Sequence, residues 1–235
     1  MKVIADTHCH TIASSHAYST VLENAKFASE IGLKYLAITD HAPEMTDSPH
    51  FWHFVNMKTI PNELFGVKIL KGAEVNILNS SGDIDLDDYS LSYLNWIVAS
   101  LHEPTFQSTS INNNTQAYLN IAKNPKVDVI GHSGNPNYVY DYEKVIKSFK
   151  EYNKLVEINQ NSLHVRAGSL TNCEEIAKLC KKYEVKVIVN SDAHFAYSIG
   201  QVDDALKLLS DIDFPEHLIV NSTVERFEEY LNNRA

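Results

Sequence analysis

Residues 3–10 read Val-Ile-Ala-Asp-Thr-His-Cys-His, a short apolar run followed directly by an aspartate and two histidines at alternate positions. Alternate side chains of a β-strand point to the same face, so Asp6, His8 and His10 would share one face. Two imidazoles would then converge on one point, as metal ligands do. For this stretch alone, a polar strand end facing water is the simpler interpretation. The rest of the chain decides between the two.

Six more apolar, β-branched runs follow the first, at intervals of about 25 to 35 residues, with amphipathic helical patterns between them. This alternation is typical of βα units, and seven units predict an α/β fold with a closed or nearly closed barrel. The predicted strands are residues 3–5, 35–39, 67–70, 96–99, 127–130, 155–158 and 185–189. Since no linker or low-complexity segment interrupts them, we expect a single domain over residues 1–235.

Three helices are predicted from capping boxes, in which Thr or Ser at the helix start is followed three positions later by Glu. The predicted helix starts are Thr20, Thr171 and Ser222. In the second of these helices, Cys173 and Cys180 lie on one apolar stripe with Ile176 and Ala177. That position indicates core cysteines rather than a redox pair.

Ionisable side chains follow most of the predicted strands at their carboxyl ends, where parallel βα barrels build their active sites. They are His8 and His10 after the first strand, His41 after the second, Glu74 after the third, His102 after the fourth, His132 after the fifth, and Asp192 and His194 after the seventh. His16, on the loop after the first strand, completes a cluster of seven imidazoles and two carboxylates. This convergence predicts metal binding and overrules the simpler interpretation of residues 3–10.

Composition narrows the function classes. The chain has 20 basic and 30 acidic residues and a formal net charge of −10, which disfavours nucleic acid and anionic membranes as partners. No apolar run reaches the roughly 18 residues of a membrane span. The three cysteines show no CxxC spacing and no signal segment precedes the first strand, so we expect a cytoplasmic protein. A homo-oligomer remains open.

The sequence resembles the PHP (polymerase and histidinol phosphatase) superfamily, and within it the YcdX-type phosphatases of bacteria. The resemblance runs over essentially the whole chain and is carried by DTHCHTIASSHAYST, AITDHAPEM, WHFVNM, LHEPTF, GHSGNP and SDAH, in this order. It implies a distorted seven-stranded (β/α)7 TIM-like barrel, a trinuclear metal centre that usually holds zinc, and hydrolysis of phosphoesters. Cys9 and Ser133 depart from the family pattern, but neither replaces a ligand.

The resemblance also implies a division of the ligands among three metal ions. His8, His10, Glu74 and Asp192 would hold the first ion. Glu74, His102 and His132 would hold the second, with Glu74 as the bridge, and His16, His41 and His194 would hold the third.

Elementary chemistry agrees with a phosphoester substrate. Three divalent ions carry six positive charges and two carboxylates cancel two, so about four remain to be balanced by hydroxide and a phosphate dianion. A metal-bound hydroxide, formed because the pKa of the bound water falls toward about 7, is then the nucleophile. Because Glu74 and Asp192 would hold the ions that supply this nucleophile, they are expected to be catalytic as well as metal-binding. An imidazole-rich set without thiolates suits Zn²⁺, and also Mn²⁺ or iron.

Residues around the cluster are candidates for supporting roles. Arg166, one of three arginines, is expected to contact the phosphate of a small phosphorylated substrate, with a structural ion pair as the alternative. Asp6 and Asp40 are candidates to orient ligand histidines, with a solvated carboxylate as the alternative. Further candidates for the pocket wall are His50, His53 and His164, and the aromatic side chains Phe51, Trp52 and Phe54 are either wall or core.

These observations favour a phosphatase acting on small phosphomonoesters. The main alternative is a PHP-type nuclease or phosphodiesterase, which should show a basic track for a phosphate backbone. A non-catalytic metal-stabilised module would not need a complete ligand set. An amide or deaminase hydrolase on a similar barrel would use fewer metals.

Overall fold

The seven apolar runs form seven parallel strands of one sheet in a computed structural model, which describes residues 1–234. An additional short strand, β3, pairs antiparallel with β4 on the outside. The strands are β1 (Ala5–Asp6), β2 (Tyr35–Ile38), β3 (Glu63–Leu64), β4 (Val67–Asn76), β5 (Trp96–Ser100), β6 (Val129–Ile130), β7 (Leu155–Asn159) and β8 (Val187–Asn190). Parallel neighbours follow chain order from β1 to β8, with β3 outside this path, so the predicted nearly closed α/β barrel is confirmed.

Helices connect the strands on the outside of the barrel, as parallel pairing requires. They are α1 (Val21–Glu30), α2 (Trp52–Asn56), α3 (Asp88–Leu91), α4 (Ile111–Ile121), α5 (Tyr142–Glu151), α6 (Gln160–Val165), α7 (Ser169–Tyr183), α8 (Asp203–Asp211) and α9 (Val224–Asn233). Short 3₁₀ turns add Met57–Thr59, Pro136–Tyr138, Ala196–Ser198, Glu216–Leu218 and Val220–Ser222. None of the helices in residues 1–234 is both long and apolar enough to span a bilayer.

Side chains, rather than a continuous ladder, join β8 to β1 in the described part of the chain. The amide group of Asn221 donates to the carbonyls of Ala5 at 2.8 Å and Val189 at 2.7 Å, and its Oδ1 accepts from the Val189 amide at 3.1 Å. At the carboxyl-terminal ends of β8 and β1, Asn190 Oδ1 accepts from both the amide and the hydroxyl of Thr7 at 2.9 Å. Two buried asparagines therefore hold β1 and the segment with His8 and His10 beside β8.

Aromatic side chains close the amino-terminal end of the barrel. Phe227 and Tyr230 of α9 are buried and pack against Trp96, with the Trp96 and Phe227 ring centroids 5.7 Å apart. Tyr35 meets Phe227 edge-on at 4.9 Å. Burial of side chains this large stabilises the fold by about 1.5–3 kcal/mol each. Because these aromatic side chains fill the amino-terminal end of the barrel, we expect a site at the carboxyl-terminal end.

The strand that carries Glu74 is longer than predicted. The apolar run ends at Leu70, but β4 continues to Asn76 and changes partner, pairing with β2 in its first half and with β5 in its second. Glu74 therefore lies within the strand and not after it. Its backbone is paired on both sides, with Val98 of β5 and with His41, which follows β2.

One of the three predicted capping boxes is confirmed. The Thr20 hydroxyl accepts from the Glu23 amide, and the Glu23 carboxylate accepts from the Thr20 amide at 2.7 Å. The start at Thr171 was wrong, because Gly168 adopts a φ of 94° and turns the chain into α7 at Ser169. The stripe of Cys173 and Cys180 on α7 is buried, and both thiols are free.

The predicted start of α9 was wrong by one residue. Thr223 is the N-cap, and its hydroxyl accepts from the Arg226 amide at 3.3 Å. The Ser222 hydroxyl instead donates to the Ile219 carbonyl at 2.7 Å within a preceding turn, and its oxygen accepts from the Arg226 side chain rather than from a helix amide.

Candidate metal centre

Eight of the nine predicted ligands meet at the carboxyl-terminal end of the barrel, and the ninth, His16, lies beside them at the surface. Parallel pairing brings the strand ends to one rim, so residues far apart in sequence become neighbours. His8, His10, Glu74 and His132 are almost completely buried, whereas the side chain of His16 is 53 % exposed. The site thus runs from a closed interior to an open mouth.

Four atoms in the interior form a cage of the size that a metal ion needs. His8 Nε2 lies 3.3 Å from Glu74 Oε2 and 3.6 Å from Asp192 Oδ1. His10 Nε2 lies 3.6 Å from Glu74 Oε2 and 3.2 Å from Asp192 Oδ1. Ligands about 2.1 Å from a tetrahedral ion are about 3.4 Å from one another. These four distances are close to that value, and the ligand atoms of His8, His10 and Glu74 all lie within 4.8 Å of one another, so these three side chains fit one ion with Asp192 Oδ1 beside it.

Glu74 faces two groups of imidazoles with its two oxygens. Its Oε2 faces His8, His10 and, at 2.8 Å, the Nδ1 of His41. Its Oε1 lies 3.2 Å from His102 Nε2 and 2.9 Å from His132 Nε2. A carboxylate divided in this way has the geometry of a bridge between two ions.

The third predicted group is close together but does not converge on one point. The ring centroids of His16 and His194 are 4.4 Å apart, and those of His16 and His41 are 5.4 Å apart. The ligand atoms divide into two overlapping groups, His10 with His41 and His194, and His16 with His41 and Asp47. His41 belongs to both of these groups and also to a third group with Glu74 and His102, since its Nδ1 lies 2.8 Å from Glu74 Oε2.

Several buried atoms of the cluster lack hydrogen-bond partners within residues 1–234. They include His8 Nε2, His10 Nε2 and Glu74 Oε2, three of the four atoms of the cage. A buried polar atom without a partner costs about 1–3 kcal/mol, so three at one point indicate a missing common partner. The donor set of imidazole nitrogens and carboxylate oxygens is one that a transition metal accepts.

Two histidines of the cluster, His10 and His132, are held in the neutral form that binds metal, whereas Glu157, Glu74 and Asp192 outweigh burial and raise the pKa of His8 well above its usual range. Burial, reinforced by neighbouring His41, lowers the pKa of His10 to about 3. Burial, reinforced by the charge of Arg166, lowers the pKa of His132 to about 4. Both imidazoles are consequently neutral near pH 7 and have a free nitrogen lone pair.

The carboxylates of the cage are ionised despite their burial. Burial raises the pKa of Glu74 and Asp192, but the surrounding imidazoles, His8 first among them, outweigh it and hold both pKa values well below their usual range. Within residues 1–234, the ion-pair contacts of these two carboxylates come only from histidines. Buried negative charge without lysine or arginine is typical of a cation site.

The backbone around two of these ligands is strained. His132 has a φ of 24° and Asp192 a φ of 57°, values in the left-handed region that non-glycine residues seldom adopt. Such strain costs about 1–3 kcal/mol per residue and concentrates at functional sites. Before His132, a side chain at Gly131 would place its Cβ 2.2 Å from Ser100 Oγ, so only glycine lets the strand ends approach this closely.

Residues that the sequence did not indicate orient several of the ligands. Glu157, in the middle of β7, lies with Oε1 2.8 Å from His8 Nδ1, and its Oε2 accepts from the His132 amide at 2.7 Å. Asn76 Oδ1 lies 2.7 Å from His102 Nδ1. A charged residue within the apolar strand LVEIN was the available signal for Glu157. Such contacts fix the ring and increase the basicity of the ligating nitrogen.

The two aspartates predicted to orient ligands do so only in part. Asp6 has other partners, since its carboxylate accepts from the Ser191 hydroxyl at 2.5 Å and the Gly200 amide at 2.8 Å. The prediction for Asp6 was therefore wrong, because Asp6 fastens the β8 loop instead. Asp40 accepts from Ser14 at 2.9 Å, and Ser14 Oγ lies 3.4 Å from His10 Nδ1, so its effect on His10 is indirect.

The other predicted pocket residues differ in exposure and in their contacts. Arg166 is half-buried, donates to Ser162 Oγ at 2.6 Å, and within residues 1–234 has no carboxylate within ion-pair distance. His164 is exposed and lies 3.0 Å from Asp204. Trp52 is 68 % exposed whereas Phe54 is fully buried, so the aromatic segment is partly wall and partly core. The remaining members are Phe51 and His50, both exposed, and His53, whose Nε2 lies 3.3 Å from Asp40.

The sequence is similar to those of known proteins. The sequence profile of the PHP domain matches residues 6–232. A protein of Clostridium novyi named as a probable phosphatase is 47% identical over 236 residues, and the match covers 100% of this chain and 97% of that protein.

Two solved structures share the fold. Histidinol phosphate phosphatase of Lactococcus lactis, solved with zinc, L-histidinol and phosphate, has a TM-score of 0.60 at 14% identity, covering 92% of this chain and 95% of that one. A chain of archaeal ribonuclease P, solved with mature tRNA, has a TM-score of 0.61 at 15% identity, covering 98% and 90%. At these identities the likeness concerns the fold alone. Because the family profile and a close relative both span nearly the full length, the chain belongs to the PHP domain family.

Proposed function

We propose that this protein is a metal-dependent phosphatase that hydrolyses small phosphomonoesters at a trinuclear centre, with zinc as the expected metal and Mn²⁺ or iron as alternatives. The observation that carries the proposal is the cage of His8, His10, Glu74 and Asp192, in which Glu74 turns its second oxygen toward His102 and His132. The relative from Clostridium novyi, named as a probable phosphatase, supports the reaction class.

Each of the three ions is assigned its own set of side chains, and Glu74 belongs to two of these sets. His8, His10, Glu74 and Asp192 would hold the first ion, Glu74 with His102 and His132 the second, and His16, His41 and His194 the third. When bound, such ions supply a nucleophile from water at neutral pH and stabilise the charge of the phosphate. Glu157 and Asn76 hold the imidazoles of His8 and His102 in place during this chemistry.

A cavity beside the cluster supports a small substrate. It has a volume of about 350 Å³ and is bordered by Asp192 and His194. Its other polar walls include Gln160, Asn161, His164, Ser198 and Gln201. This size falls in the range of small-molecule sites, and amide and hydroxyl groups suit the alcohol part of a phosphomonoester.

The proposed substrate class is tested by comparing kcat/KM for small sugar or alcohol phosphates with that for single-stranded DNA, using one metal-loaded preparation. We expect monoester turnover and little cleavage of DNA, because the net charge of −10 repels a polyanion outside the site. Degradation of DNA with little monoester turnover would contradict the proposal and favour the nuclease alternative.

Arg166 is proposed to bind the phosphate. Its guanidinium lies near enough to lower the pKa of His132, and one nitrogen is fixed by Ser162. We expect Arg166→Ala to raise KM for a phosphomonoester by about 10- to 100-fold, the worth of a hydrogen bond to a charged group. Steady-state kinetics measure this. Should the contact strengthen in the transition state, kcat falls as well.

Arg226 provides a matched control, because its Nη1 also donates to a serine hydroxyl, that of Ser222, at 2.6 Å, but on the α9 side of the barrel. Arg226→Ala should leave KM unchanged. Equal kinetics of the two variants and the wild type would show that Arg166 does not contact the substrate.

A further inference from the structure

Asp47 lies on the loop of residues 42–50, between β2 and α2, and contacts the outermost histidine of the cluster. Its Oδ2 is 2.6 Å from His16 Nδ1, and its side chain is only 15 % exposed. Its other oxygen, Oδ1, is buried and has no hydrogen-bond partner within residues 1–234. The carboxylate is thus engaged on one side and available on the other.

His16 depends on this contact more than the other histidines depend on theirs. Its side chain is 53 % exposed, whereas those of His194 and His102 are 22 % and 9 % exposed. Packing alone therefore does not fix its ring. When Nδ1–H donates to Asp47, Nε2 has the free lone pair and is the nitrogen available to a metal ion.

The backbone joins the two loops at the same place. The Ser15 amide donates to the Asp47 carbonyl at 2.9 Å, directly beside His16. The ligand atoms of His16, His41 and Asp47 all lie within 4.8 Å of one another. The loop that carries Asp47 and the loop that carries His16 are therefore fastened together at the third metal position.

Charge gives a second reason for a carboxylate here. In the proposed division of ligands, Asp192 serves the first ion and Glu74 the first and second, while the third is assigned only imidazoles and no carboxylate. Asp47 is the carboxylate that joins His16 and His41 in this group. A negative charge next to a divalent ion favours its binding, most of all at a partly buried position.

We propose that Asp47 is a positioning residue that sets the affinity of the third metal position, by holding His16 and by supplying negative charge next to it. The inference rests on the proposed trinuclear function. It assigns to the loop of residues 42–50 the control of the one ion that lies at the open mouth of the site.

The test is titration of metal-free protein with Zn²⁺, in which binding is measured by calorimetry and by competition with a chromogenic chelator. We expect the wild type to bind about three ions, and Asp47→Ala to bind the third about 10- to 100-fold more weakly while the first two keep their affinity. Asp47→Asn, which keeps an oxygen for His16 but loses the charge, should show a smaller loss of the same kind.

Glu44→Gln is the matched control, because Glu44 is an exposed carboxylate on the same loop and should not affect any metal position. If Asp47→Ala misfolds, as circular dichroism would reveal, Asp47→Asn decides the matter. Unchanged affinity for the third ion in the Asp47 variants would overturn the inference and leave the proposed function intact. Uptake of a single ion by the wild type would overturn both.

Discussion

Replacing Glu74 with glutamine should release metal from two positions at once and lower kcat/KM for a phosphomonoester by more than about 100-fold, the upper bound for residues that only orient a ligand. Glutamine has nearly the same size, so the cavity and the strand pairing of β4 are preserved. It has no charge, and its amide nitrogen cannot serve as the second oxygen. The contacts of Oε1 with His102 and His132, and of Oε2 with His8 and His10, therefore cannot both be replaced.

Elemental analysis of Glu74→Gln, in parallel with steady-state kinetics, measures the two effects together. Glu151→Gln, an exposed carboxylate at the end of α5, is the control and should match the wild type. His41→Ala should mainly deplete the third position. If Glu74→Gln retained the full metal content and rate, Glu74 would not be the bridge.

Removing the metal with a chelator should abolish hydrolysis and lower the melting temperature by about 10 °C or more. An ion present at a thousand times its Kd stabilises the folded state by about 4 kcal/mol, and each kcal/mol corresponds to about 2–4 °C for a chain of this size. After loss of the ions, only the imidazoles compensate the negative charge of the buried carboxylates of Glu74 and Asp192.

Differential scanning fluorimetry and a phosphatase assay, before and after dialysis against the chelator, check this prediction. The same chelator saturated beforehand with zinc should change neither quantity, which excludes direct effects of the chelator. Hydrolysis at the wild-type rate by protein shown to be metal-free would refute metal dependence.

The barrel and the cluster were predictable because both rest on patterns local in sequence. Apolar runs mark the strands, and residues such as His102 and His132 directly follow the runs that end at the rim. The pattern fails where pairing with distant residues decides the structure. β4 extends through Glu74 because β5 pairs with its second half. No pattern within residues 67–76 predicts this change of partner strand.

The residues that orient the ligands were harder to predict, because their roles depend on which side chains face each other across the barrel. Glu157 is 149 positions from His8 in sequence, yet their side chains are 2.8 Å apart. Asp6, two residues before His8, was the nearer candidate, but it faces Ser191 and Gly200. Position directly after a predicted strand indicated the candidate ligands but not the residues that contact them.

In the proposed function, the chain needs a set of about three ions for phosphatase activity. The most direct measurement is stepwise addition of Zn²⁺ to metal-free protein at a concentration far above Kd, with hydrolysis of a small phosphomonoester recorded at each step. We expect activity to rise with added metal and to level off near three equivalents per chain. Activity that is complete without added metal, or that levels off at one equivalent, would contradict the proposed function.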